Sequence, residues 1–292
     1  MNSDRTVLAA ALAILGSICS VNLGAAVAKT LYAGIGVEGV VALRTGIAAL
    51  LLLLLGRPWR VRLQAAQWGW VLLYGLTMGL MNLLIYWSFI FIPIGVAVAI
   101  EIVGPLAVVL AGTRALRDRL WAGLAVAGLA LLVPWTDHAA ALDWRGVVLA
   151  LGAATCWALY IVFGKQVSRI GGRQVVALGL ALACIVTVPL GIVRAGPLLL
   201  SVPVLAMGLL VALMSSCLPY LLEMFALGRL SPRLFGLIVS ASPATAALSG
   251  YAVLGERLTL PQGIAVALMI AASAGAALTG RPAVSRPRED LS

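Results

Sequence analysis

Long apolar runs, broken at intervals by glycine, proline and arginine, occupy most of this chain. Ten of them reach or approach the roughly 20 residues a helix needs to cross the hydrocarbon core of a bilayer. They fall at about 7–28, 38–55, 68–91, 93–112, 119–135, 145–164, 174–193, 203–227, 233–253 and 259–279. The breaks between them carry Gly34 and Gly36, Arg57-Pro58, Pro93, Pro134, Gly171-Gly172, Gly196-Pro197, Pro232 and Pro261, residues that end helices or make turns. The runs are continuous rather than alternating with period two, which excludes a transmembrane barrel. The pattern predicts an all-α polytopic membrane protein with ten transmembrane helices.

Composition agrees. Of 292 residues, 63% are hydrophobic and 10% charged, whereas soluble domains carry about 25% charged residues. So few charges cannot cover a water-facing surface, which excludes a soluble enzyme and a disordered chain. The first run follows Arg5 and has small residues near Ala25–Ala28, as a signal peptide would. It reaches spanning length and nine runs follow, so it reads as a retained span.

The net charge of +10 is explained by placement. With the N-terminus in the cytoplasm, fifteen cations fall on the cytoplasmic side: Arg5, Arg57, Arg60, Arg62, Arg114, Arg117, Arg119, Lys165, Arg169, Arg173, Arg229, Arg233, Arg281, Arg286 and Arg288. Four fall opposite: Lys29, Arg145, Arg194 and Arg257. This is the positive-inside asymmetry, with both termini cytoplasmic, and it needs no nucleic-acid partner. The polar tail at 281–292 reads as disordered and cytoplasmic.

The chain also repeats itself. Val40-Val41-Ala42-Leu43 recurs as Val175-Val176-Ala177-Leu178, Lys29 matches Lys165, and Pro105 matches Pro243. Asp118-Arg119-Leu120 matches Glu256-Arg257-Leu258. Five spans is an odd number, so a second copy must lie inverted in the membrane. The expected organisation is a five-helix repeat at 1–136 and an inverted five-helix repeat at 143–280. Such repeats mark secondary transporters, with the substrate site between halves near the midplane.

Loop and tail charges aside, the ionisable residues inside spans are Arg44, Glu101 and Glu223. Each costs about 2.5–3.5 kcal/mol at mid-bilayer on insertion scales, so it needs a cavity or a partner. Glu101 lies eight residues into the fourth span, and Pro105 has no N–H to give its carbonyl. Gly104 and the other small residues nearby allow close approach. Pro243 repeats the break in the second half, and Pro219 lies in the eighth span. Glu223 lies toward the cytoplasmic end, within reach of Arg229. Arg44 lies toward the opposite end of the second span, where anchoring or pairing with a carboxylate competes with substrate contact. Asn22, Asn82, Tyr86, Ser215, Ser216, Tyr220 and Ser240 are neutral candidates, with interhelical hydrogen bonding as the alternative role of each. Gly75-x-x-x-Gly79 reads as a helix-packing motif. A single histidine, His138, and four scattered cysteines give no metal set. No nucleotide, metalloprotease or nucleophile motif is present. The reading is a non-enzyme without metal or cofactor.

Gly39-Val40-Val41-Ala42-Leu43-Arg44, Tyr74 through Asn82, Ile94 through Val108 around Glu101, Leu149 through Ala153 leading to Cys156-Trp157-Ala158, and Leu218 through Met224 around Glu223 carry a resemblance over nearly the whole chain. The sequence resembles the drug/metabolite transporter superfamily, in its EamA-type branch, and within that branch the bacterial threonine/homoserine exporters. The resemblance implies a basket of ten helices whose third, fourth, eighth and ninth spans line a central cavity. It implies multi-pass residence in the bacterial inner membrane and proton-driven efflux of threonine, homoserine and related small amino acids. The implied partners are the amino acid, protons and lipid, with a homodimer left open. The same fold exporting another metabolite or drug, or an uncoupled facilitator, is the alternative. A zwitterion suits the residues: Glu101 for the ammonium; Arg44 or a helix N-terminus for the carboxylate; Asn82, Tyr86 or Tyr220 for a hydroxyl.

Overall fold

A computed structural model describes residues 2–60, 63–111, 116–132, 142–167, 172–219, 222, 226, 229–230 and 238–279. The helices are α1 (Asn2–Thr30), α2 (Tyr32–Gly56), α3 (Ala65–Phe91), α4 (Ile94–Glu101), α5 (Val103–Ala111) and α6 (Leu116–Leu132). They continue as α7 (Trp144–Val167), α8 (Gly172–Ala195), α9 (Val202–Ala212), α10 (Ser242–Leu254) and α11 (Leu260–Thr279). Among the described residues there is no strand. Five of the helices are long and apolar enough to cross a membrane, and shorter apolar helices accompany them. With α4 and α5 taken as one broken span, the helices match the ten runs of the sequence in order. The tail at 281–292 lies outside the described residues.

Local chemistry sets the ends. α2 stops where Arg57 turns left-handed (φ 45°) and its N–H bonds the Leu53 carbonyl. α3 opens with a capping box, in which the Gln67 side chain accepts the Gln64 N–H at 2.9 Å. α10 ends at Gly255, left-handed at φ 69°. α2 is two helical pieces joined at a kink, because Gly36 (φ 71°, ψ 170°) is non-helical, and the longer piece starts close to the expected residue 38.

Close crossings hold the bundle together. A side chain at Gly75 or Gly79 would strike the backbone of α8 at Gly179 and Ala183, as the packing motif predicts. Gly95 of α4 abuts the Ala247 backbone of α10, and Gly104 of α5 lies against the Ala154 carbonyl of α7. α2 packs along α8, where the Thr45 and Thr187 hydroxyls bond at 2.7 Å within the core.

The packing partners follow a rule when the spans are numbered one to ten. Span 2 packs on 7, span 4 on 9 and span 5 on 10. Further contacts come as pairs: 3 on 6 with 8 on 1, 1 on 9 with 6 on 4, and 3 on 7 with 8 on 2. Adding five to each number maps these contacts onto one another, while 4 on 10, 2 on 3 and 1 on 2 have no counterpart of similar extent among the described residues. Large apolar side chains such as Leu54, Leu55, Val126, Ile185 and Val193 are exposed on the outside, as a lipid-facing surface requires.

Candidate functional site

Arg44 is the hub of the interior. It lies on the longer piece of α2, nearer the Gly36 kink than the Gly56 end. Its Nη1 donates to Asn82 Oδ1 at 2.7 Å, its Nη2 to the Ser215 backbone carbonyl at 3.1 Å and its Nε to Ser216 Oγ at 3.3 Å. The guanidinium also lies over the Tyr86 ring, 5.1 Å from its centroid. Asn82 is oriented by donating to the Met78 carbonyl at 2.8 Å.

A free carbonyl at Ser215 has a local cause. In α-helical register its partner would be the N–H of Pro219, and proline has none. The chain widens into a π-helical turn over Leu213–Cys217, a feature that often marks functional sites. α1 covers the neighbouring carbonyls, with Ser20 Oγ donating to Met214 O at 2.6 Å and Ser17 Oγ to Pro219 O at 3.4 Å.

Two chambers meet at Arg44 and Asn82. The larger, about 310 Å³, is walled by Thr45, Leu52, Met78, Tyr160, Val176 and Ser216 among others. The smaller, about 180 Å³, is walled by Asn22, Tyr86, Phe89, Val98, Glu101 and Ser242 among others. Val21, Met81 and Trp157 also line both.

Glu101 is the last residue of α4 and is buried. The break predicted from Pro105 is present, since α4 stops at Glu101 and α5 starts at Val103. Pro105 and Gly104 lie in the first turn of α5. Among the described residues no hydrogen bond or ion pair to the Glu101 carboxyl is found. It lines the same chamber as Arg44 without contacting it directly.

The other candidates divide. Asn22 ties α1 to α10, donating to the Ile18 carbonyl at 3.0 Å and to Thr245 Oγ1 at 2.7 Å. Pro243 sits at the start of α10, after a break at Ser240–Ala241. Ser240 is buried there. Tyr220 and Glu223 lie outside the described residues. The sequence reading missed two residues at the far end of the bundle. Glu256 Oε1 pairs with Lys29 Nζ at 2.6 Å, while its Oε2 accepts the N–H of Ile94 at 2.9 Å at the start of α4. Nearby, Trp87 donates its indole N–H to Glu38 Oε1 at 2.9 Å. The match of Glu256 to Asp118 in the repeat was the one available signal for the first.

Comparison with known proteins gives the family. The threonine/homoserine exporter RhtA of Salmonella typhimurium (strain LT2) is 44% identical over 270 residues, covering 92% of each chain. RhtA of Escherichia coli K12 is 43% identical over 268 residues, covering 92% of this chain and 91% of its own. One solved crystal structure superposes with a TM-score of 0.59 at 20% identity, covering 96% of this chain and 98% of its own, and supports the fold. The model of the EamA-like transporter family matches residues 144–278. With relatives this similar over almost its full length, the chain belongs to the EamA-like transporter family.

Proposed function

We propose that this protein exports threonine, homoserine and related small amino acids by proton antiport with alternating access. Relatives named as threonine/homoserine exporters support the cargo. The carrying observation is the smaller chamber, where a guanidinium and a carboxyl face one cavity without bonding to each other. A guanidinium has five N–H donors, and three are used within the protein. The two left, one on each terminal nitrogen, suit a substrate carboxylate. Glu101 supplies the counterpart for the ammonium. The chamber is smaller than the ~300–1,000 Å³ of drug-sized pockets, as an amino acid needs.

A carboxyl oxygen can take a proton or accept from an ammonium, so a proton and the substrate ammonium compete for Glu101. The two exclude each other, which is antiport. Two inverted five-helix repeats, 1–136 and 143–280, supply the alternation. Their support is the mapping of the most extensive packing partners onto one another on adding five and the matched breaks at Pro105 and Pro243. Orientation with both termini in the cytoplasm rests on the arginine asymmetry. It puts the larger chamber, near Leu52, Tyr160 and Val176, toward the cytoplasm.

The test is counterflow of labelled threonine and homoserine in proteoliposomes, with and without a pH gradient. Gradient-driven uphill movement of both is expected. Transport of neither removes the cargo assignment, and flux indifferent to the gradient makes the protein a facilitator. Glu101→Gln is expected to abolish uphill movement. Uphill movement with undiminished proton dependence in that variant removes Glu101 from the coupling.

A further inference from the structure

We propose that Tyr86 is the specificity residue that reads the hydroxyl of the transported amino acid. This rests on the export reading above and adds the group that selects the cargo. Threonine and homoserine are one four-carbon skeleton, 2-aminobutyrate, with a hydroxyl on neighbouring carbons. A site that takes both needs a small apolar pocket and one hydroxyl partner tolerant of position.

Among the described residues, Tyr86 is the one whose buried polar side-chain atom has no partner. Arg44 and Glu101 are assigned to the charged ends. Asn82 has its oxygen on Arg44 and its amide on the Met78 carbonyl. Asn22 gives its amide to Ile18, Ser242 and Thr245, with the Ser242 hydroxyl among its acceptors. The Tyr86 hydroxyl is fully buried and has no hydrogen-bond partner among the described residues. Tyr86 is a wall of the smaller chamber with Glu101 and Arg44, beside the apolar Ile85, Phe89 and Val98. Trp157 also lines it, but an indole only donates.

The ring is held in place. Arg44 covers its face, Phe89 lies 5.4 Å away between centroids, and the Tyr32 hydroxyl bonds the Tyr86 backbone carbonyl at 3.1 Å. A fixed phenol can donate and accept, which serves a hydroxyl on either carbon. A buried hydroxyl without a partner is costly, and a bond to a substrate hydroxyl would offset that cost. A site built around such a bond rejects an analogue that lacks the group.

The experiment compares threonine, homoserine and L-2-aminobutyrate transport in proteoliposomes for wild type, Tyr86→Phe and Trp157→Phe. Wild type is expected to prefer the two hydroxylated substrates by about ten- to hundredfold. In Tyr86→Phe that ratio is expected to fall toward one, the loss falling on threonine and homoserine. Remaining 2-aminobutyrate flux reports a folded variant. A ratio that survives in Tyr86→Phe overturns the proposal and leaves the hydroxyl to a bound water. Loss of all three substrates together overturns it in favour of a structural role. A ratio that collapses in Trp157→Phe but not in Tyr86→Phe assigns the reading to Trp157. Equal transport of all three by wild type overturns the proposal while leaving export standing. Transport of none by wild type removes the export reading and this proposal with it.

Discussion

Arg44 is accommodated inside its span because the protein supplies contacts water would have made. Three acceptors from α3 and the turn after α9 hold the guanidinium plane. Lysine cannot replace it, because an ammonium is a point charge and cannot bridge Asn82 and Ser215 while leaving a fork free. Arg44→Lys is expected to lower threonine flux at least tenfold with a small change in thermal unfolding in detergent. Flux within twofold of wild type would remove Arg44 from substrate binding. Asn82→Ala strips one acceptor from a buried cation and is expected to destabilise by about 1–3 kcal/mol, seen as a lower unfolding temperature.

At the scale of the element, breaks matter more than helices. Pro219→Ala would restore an N–H able to claim the Ser215 carbonyl. The expected outcome is equal or higher thermal stability with lower flux, since Arg44 loses an acceptor. A rise in both would show that the π-helical turn does not position Arg44. Glycines sort by what stands opposite them. Gly75→Val drives a side chain into α8 and is expected to cost about 1–3 kcal/mol. Gly123 has nothing within 4 Å of an added Cβ, so Gly123→Ala is expected to be neutral or to stabilise by up to about 1 kcal/mol.

The helices were legible in the sequence because apolar runs and breakers are local signals. So was the Glu101 break, since Pro105 acts on a carbonyl four residues away. The role of Arg44 was not legible, because two of its acceptors are more than 170 residues distant. Gly36 was legible too, since the break read from the sequence falls at a non-helical kink.

Across the molecule, the two ends of the bundle differ. On the side away from the arginine-rich loops, Glu256 joins the end of α1 to the start of α4 from the turn before α11. One carboxylate thus ties that end together, and the proposed alternating access would require it to release. Glu256→Gln is expected to raise the reactivity of a cysteine introduced at the buried Ala28 toward an impermeant thiol reagent, in a background with the four native cysteines replaced. Unchanged reactivity would show that the pair does not hold that end shut. The Arg44 hub has a further consequence, in the order of synthesis. Asn82 follows Arg44 by 38 residues, but Ser215 follows by 171. At roughly 5–20 residues per second, the arginine waits about ten to thirty seconds in or beside the membrane before its second-half acceptors exist. The newborn second span is therefore a poor lodger in lipid, and it must linger near the insertion machinery or lean on the third. Chains stopped before Ser215 should integrate that span less completely than full-length chains, and Arg44→Leu should erase the difference in a protease-protection assay.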